Sequence, residues 1–226
     1  MNKIIMTSML GSLIPLCFVH AANTAAQSAV PDEVTIFQVA LKCSAAPQIG
    51  CGGEAKPILL KLEREPTVRE AWLNRTGTLI AVVWKSKLNA QLNAQTQQYL
   101  ESRLRAAGRD ADVRELQGEA RDQALKELQS GHGWYRGAEV ARLSEEEAGI
   151  IAARLVRRVQ AKTTLSQDKT ERLERALAAA YRKCFAEERY ETLPVRQLVD
   201  DFLDEKQIAI LEQAIDKGVR PLPNEN

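Results

Sequence analysis

Residues Val68–Lys85 read VREAWLNRTGTLIAVVWK, two apolar runs parted by Thr76 and Gly77. The second run, Leu79–Trp84, is a near-continuous string of apolar and β-branched residues, the pattern of a central strand buried on both faces. The first carries Val68, Ala71 and Leu73 in broken alternation, and the short polar break with its glycine predicts a tight turn between two strands.

Upstream of this pair, Ala55, Ile58, Leu59 and Leu62 recur at three- and four-residue spacing, so Glu54–Arg64 is predicted as a short amphipathic helix that Pro66 stops. Before it lies a loop, KCSAAPQIGCGG at 42–53, whose Pro47, Gly50, Gly52 and Gly53 argue against regular structure. Val34–Leu41, rich in β-branched residues, reads as a half-buried strand. Downstream, a helical pattern runs from Asn89 to Ala107 with Leu92, Thr96, Tyr99, Leu100, Arg103 and Leu104 near one face, and Gly108 is placed to end it. Asp112–Leu116 then reads as a short last strand. The order β-α-β-β-α-β is the split βαβ pattern of ferredoxin-like folds, and it spans 34–118.

After Gly118 the chain turns polar and helical. Gln117–Gln129 reads as a short helix, and SGHGWYRG (130–137) as a glycine-punctuated joint, the two making a connector over 119–143. From Ser144 the pattern is all helix. Ser144 with Glu147 forms a capping box, and Ile150, Ile151, Leu155, Val156 and Val159 supply an apolar face. Glu145–Glu147, Arg157 and Arg158 read as solvated. Further helices open at Leu165–Ser166, near Pro194 and at Asp204. The expected fold class is therefore α+β: a ferredoxin-like N-terminal domain followed by an all-α domain over 144–220, with a turn-like tail at 221–226.

The chain's start reads as a secretory signal peptide. Lys3 precedes an uncharged, mostly apolar run from Ile4 to Val19, too short to span a bilayer comfortably, and Val19 and Ala21 fit the small-residue pattern before a cleavage site. Residues 1–21 are the expected signal, 22–33 a flexible lead, and a bacterial periplasm the expected location. The remaining stretches hold no span of eighteen uncharged apolar residues, so insertion in a membrane is not expected. With 31 Lys and Arg against 30 Asp and Glu, the charge balance recommends neither nucleic acid nor an anionic surface as a partner.

Processing would leave Cys43, Cys51, Cys184 and one histidine, His132. One histidine is too few for a multi-histidine zinc centre, and the sequence has no G-x-S-x-G elbow or glycine-rich phosphate loop, so a non-catalytic role is expected. His132 reads as a solvated loop residue and Cys184 as a small buried hydrophobe on a helix face. Cys51 sits just ahead of a helix N-terminus, where free N–H groups and the dipole favour a thiolate. If Pro47 and Gly50 let the loop fold back, Cys43 comes beside it, and two soft thiolates would prefer copper(I), mercury(II), cadmium or zinc over hard cations. In an oxidising compartment the same pair could instead be a disulfide staple, or stay unpaired.

The run GCGGEAKPILLKLEREPTVREAWLNRTGTLIAVVWK (50–85) resembles the heavy-metal-associated domain of copper chaperones, metal-pumping ATPases and the periplasmic mercury-binding protein. Cys51 lies where that family's first cysteine stands relative to Pro66, Val68, Ala71 and Asn74. Leu59 and Leu62 match its inward helix positions, and AAGRDADV (106–113) is similar to the turn before its last strand. The resemblance implies a ferredoxin-like fold and a soft metal at the loop. The family's second cysteine falls at Glu54, which leaves Cys43 as the local replacement and Glu54 as an auxiliary ligand. The C-terminal helices, opening with LSEEE (143–147) and LSQDK (165–169), are loosely similar to helical periplasmic metal-stress proteins.

Two functions are thus expected. One is a periplasmic accessory protein of heavy-metal handling, binding metal through Cys43, Cys51 and Glu54 and docking a protein partner or a second copy through its helices. The other is a structural or interaction module of the envelope with a Cys43–Cys51 disulfide.

Overall fold

The computed structural model describes residues 34–85, 90–187, 193–223 and 225. The expected signal and lead, 1–33, lie outside them. The described residues form an α+β structure with a five-stranded antiparallel sheet and seven helices.

The sheet is built around the hairpin that the sequence marks most strongly. β1 (Val34–Gln38), β2 (Val68–Asn74) and β3 (Leu79–Trp84) lie with β3 in the middle, β4 (Arg114–Glu115) adds to β1, and β5 (Trp134–Arg136) adds to β2, giving the order β4-β1-β3-β2-β5. The apolar run of β3 has a direct cause. Ile80, Val82 and Trp84 join one apolar cluster, while Ala81 and Val83 join another on the opposite face. The broken alternation of β2 is a bulge: Val68 faces Trp84 but Glu70 faces Val83, so Arg69 is the extra residue. Asn74 ties the connecting turn by accepting the N–H groups of Thr78 and Leu79 at 2.9 Å each, and Gly77 supplies φ +71°.

Helix α1 (Gly52–Arg64) joins β1 to β2, and α2 (Ala90–Ala106) precedes β4. α1 buries Ala55, Ile58, Leu59 and Leu62, the stripe read from spacing, and α2 buries Thr96, Leu100 and Leu104. α3 (Gly118–Gln129) covers the other face, bringing Ala124, Leu125 and Leu128 onto Val34, Ile36 and Val83.

Four helices follow: α4 (Ala141–Gln160), α5 (Gln167–Ala186), α6 (Val195–Val199) and α7 (Glu205–Asp216). Ser166 caps α5 by accepting from Lys169 N–H, and Asp204 with Gln207 makes a capping box on α7. Two expectations for α4 need correcting. α4 starts at Ala141, so Ser144 lies inside it and makes no capping box with Glu147. Ser144 instead meets α1: a Cβ on Gly52 would stand 2.6 Å from its Oγ, which is why glycine is needed there. Arg158 is buried rather than solvated, as is Arg154.

The joint at 130–137 holds the short strand β5, which pairs Trp72 with Arg136 and Leu73 with Tyr135. One apolar cluster then runs from Phe37 in the sheet through Leu59, Leu143, Ile151 and Leu177 to Leu211 and Ala214, so the helices share a core with the sheet.

Candidate functional site

The chain leaving β1 crosses the β2–β3 turn. Val39 and Leu41 donate to the Thr78 and Gly77 carbonyls, and Gly50 donates to Arg75. The crossing is tight, because a Cβ on Gly77 would lie 2.5 Å from both Gly50 Cα and the Leu41 oxygen. The loop then folds back on itself. Cys43 N–H donates to Ile49, Cys51 N–H to Leu41, and Lys42 bridges Gly50 in antiparallel fashion. In that register Cys43 and Cys51 are a diagonal pair on one face of a miniature hairpin.

The Cys43 side chain is buried, at 2% exposure, and its Sγ accepts the Ala46 N–H at 3.3 Å. Glu147 of α4 reaches the same sulfur. Burial first, then the hydrogen bond and charge of Glu147, push the Cys43 thiol up to about 12. Cys51 is the N-cap of α1, as its sequence position suggests. Burial nevertheless pushes its thiol up to about 11, against the lowering influence of the Glu54 N–H and of Arg109. The magnitudes explain the outcome. A helix N-terminus favours an anion by about 0.3–1 kcal/mol, whereas desolvating an ion costs several kcal/mol. Both thiols therefore carry their protons at neutral pH, and the expected free thiolate at Cys51 is replaced by a thiol.

Glu54 is engaged elsewhere. Arg109, positioned after the Gly108 turn that ends α2, grips both its carboxylate oxygens at 2.9 and 2.7 Å in a bidentate fork. The carboxylate expected as an auxiliary ligand is thus one half of an ion pair.

Cys43 and Cys51 face a cavity of about 460 Å³ that is also lined by Cys184, Glu147, Arg109 and Glu54, with Ile151, Tyr181 and Phe185 as apolar wall. A larger cleft of about 840 Å³ shares Cys51, Glu54, Ser144 and Phe185 with it and continues past Lys56 and Arg182. The three described cysteines are free thiols. Among the described residues, no group of three or more His, Cys, Asp and Glu is gathered closely enough to hold an ion. His132 is exposed in the turn before β5, its Nδ1 2.7 Å from the Ser130 oxygen, and is not among the cavity's lining residues.

Sequence reasoning missed two of the charged groups around this cavity. Glu147 had a local signal: Leu143, Glu147 and Ile151 share a face at four-residue spacing, so an acid interrupts an apolar stripe. Arg109 had none, because its partner is 55 residues away. Comparison with known proteins returns no match for this chain among family models, curated proteins or solved structures.

Proposed function

We propose that this protein is a periplasmic accessory protein of heavy-metal handling, which holds one soft ion between Cys43 and Cys51. The observation that carries the reading is the placement of two unpaired cysteines on one face of a folded-back loop, against one cavity. The sheet order β4-β1-β3-β2, with α1 between β1 and β2 and α2 between β3 and β4, supports a ferredoxin-like unit over 34–118, to which α3 and β5 are additions. With Glu54 given to Arg109, the donors of the folded-back loop itself are the Cys43 and Cys51 sulfurs. Linear copper(I) or mercury(II) suits such a pair better than zinc, which takes four ligands. Binding displaces two protons from the buried thiols, so affinity rises with pH. The helices α4–α7 are the surface offered to a transporter, a delivery partner or a second copy.

Titration of the fully reduced protein with copper(I) and with mercury(II), followed by thiolate charge-transfer absorbance and native mass spectrometry, tests the reading. One ion per chain is expected, lost in Cys43→Ser and in Cys51→Ser. Binding by the double variant as tight as by the wild type would sink it. A second reading follows from the same diagonal placement: the pair closes as a disulfide staple of an envelope interaction module. Mass spectrometry of protein taken from the periplasm without reductant separates the two, since a bridged pair is two hydrogens lighter.

A further inference from the structure

Two buried arginines on one face of α4 hold the end of the chain. Arg154 and Arg158, one helical turn apart, are 5% and 9% exposed. Arg158 donates to the Gly218 carbonyl at 2.5 Å, the Ala214 carbonyl at 3.2 Å and the Arg220 carbonyl at 2.7 Å, and it grips both Glu225 oxygens at 2.7 Å. Arg154 Nη1 donates to the Val219 carbonyl at 2.6 Å and to the Ala45 carbonyl at 2.7 Å. Ala45 belongs to the turn whose Ala46 N–H meets Cys43 Sγ. One guanidinium therefore joins the terminal segment to the cysteine loop, and both Ala45 and Val219 line the thiol cavity.

Polar contacts rather than packing keep the segment in place. α7 ends at Asp216, Gly218 follows with φ +80°, and from there to Pro223 no residue is fully buried. The buried core stops at Ala214, with Ile215 and Val219 only partly covered. An element with little apolar burial can detach well below global unfolding.

We propose that Gly218–Pro223, with the Glu225 carboxylate, is a latch over the Cys43 end of the cavity, clamped by Arg154 and Arg158, and that its release admits reagents to the Cys43 thiol. The latch does not depend on the metal reading, since access is read directly from thiol chemistry. A chain whose latch controls alkylation but which binds no soft ion would overturn the metal reading alone.

The test compares the wild-type chain, Glu225→Gln and a chain ending at Gly218, each reduced and challenged with N-ethylmaleimide at pH 8. Peptide mass spectrometry then follows modification at Cys43, Cys51 and Cys184 separately. Loss of the charge-assisted clamp is expected to speed Cys43 modification about tenfold in Glu225→Gln and further in the shortened chain, with Cys184 changing less than about twofold. Unchanged Cys43 rates in both variants would overturn the latch. So would a parallel rise at all three cysteines, which marks the segment as framework. Glu225→Gln, altering the clamp at one carboxylate, decides the matter if the shortened chain does not fold.

Discussion

Three glycines of the cysteine loop look alike as sequence and differ in what surrounds them. A Cβ on Gly53 meets nothing within 4 Å, one on Gly52 meets Ser144 Oγ at 2.6 Å, and one on Gly50 meets Gly77 Cα at 2.9 Å. Gly77, across the contact from Gly50, adds a left-handed φ of +71° to a contact of 2.5 Å with backbone on two sides. Gly77→Ala combines left-handed strain of about 1–2 kcal/mol with overpacking of about 1–3 kcal/mol. It is expected to lower the melting temperature by roughly 10 °C at 2–4 °C per kcal/mol, while Gly53→Ala leaves it within about 2 °C. Differential scanning calorimetry of the two variants checks this, and equal melting temperatures would show that the loop does not rest on the turn. The sequence marks all these positions as breakers of regular structure. It cannot say which are needed for close approach, because the opposing atoms lie 27 residues along for Gly50 and 92 for Gly52.

At the scale of elements, period carried most of the fold and charge misled where a helix face is buried. The stripes of α1 and α2 and the start of α5 and α7 follow from spacing and caps that neighbouring residues supply. In α4 the buried face includes Arg154 and Arg158. A charged residue on such a stripe is ordinarily assigned to solvent, because ionic side chains are rarely buried unless paired. Here Arg158 pairs with Glu225 and Arg154 donates to the Ala45 and Val219 carbonyls, partners that are all distant in sequence. Arg158 beside Glu225 holds that carboxyl well below its ordinary value, at about 2. A carboxyl depressed on folding stabilises the folded state above its unfolded pKa, and that stabilisation drains away as pH falls through the folded value. Wild type is therefore expected to exceed Glu225→Gln in melting temperature at pH 7, with the gap closing between about pH 4.5 and 2. Arg158→Ala, which leaves Glu225 and three carbonyls without their donor, is expected to cost about 3 kcal/mol in urea unfolding at neutral pH. A gap between wild type and Glu225→Gln that persists at pH 2 would mean that the ion pair does not account for it.

For the whole molecule the question is whether the sheet and the helices fold together. Composition shifts near Gly118 and Ser144 suggest two domains, whereas the atoms give one apolar cluster that crosses both positions. The strand that bridges them, β5, is three residues between a glycine on either side, too short to show a period, and only its pairing with Trp72–Asn74 reveals it. Cutting after Gly118 would remove β5 from the sheet's edge, α4 from Gly52, and α3 from Val34, Ile36 and Val83. Uncovering those three side chains alone forfeits about 6 kcal/mol, within the roughly 5–15 kcal/mol by which proteins are stable. The fragment 34–118 is thus expected to unfold without cooperativity and to bind a hydrophobic dye. The intact chain offers a cleaner measurement. Its three tryptophans, Trp72, Trp84 and Trp134, all lie in the sheet, while far-UV circular dichroism is dominated by the helices. Urea transitions followed by tryptophan fluorescence and by circular dichroism should coincide in midpoint and slope. Two separated midpoints would instead establish the helical region as an independent domain, and would free the sheet-bearing region to be tested for metal on its own.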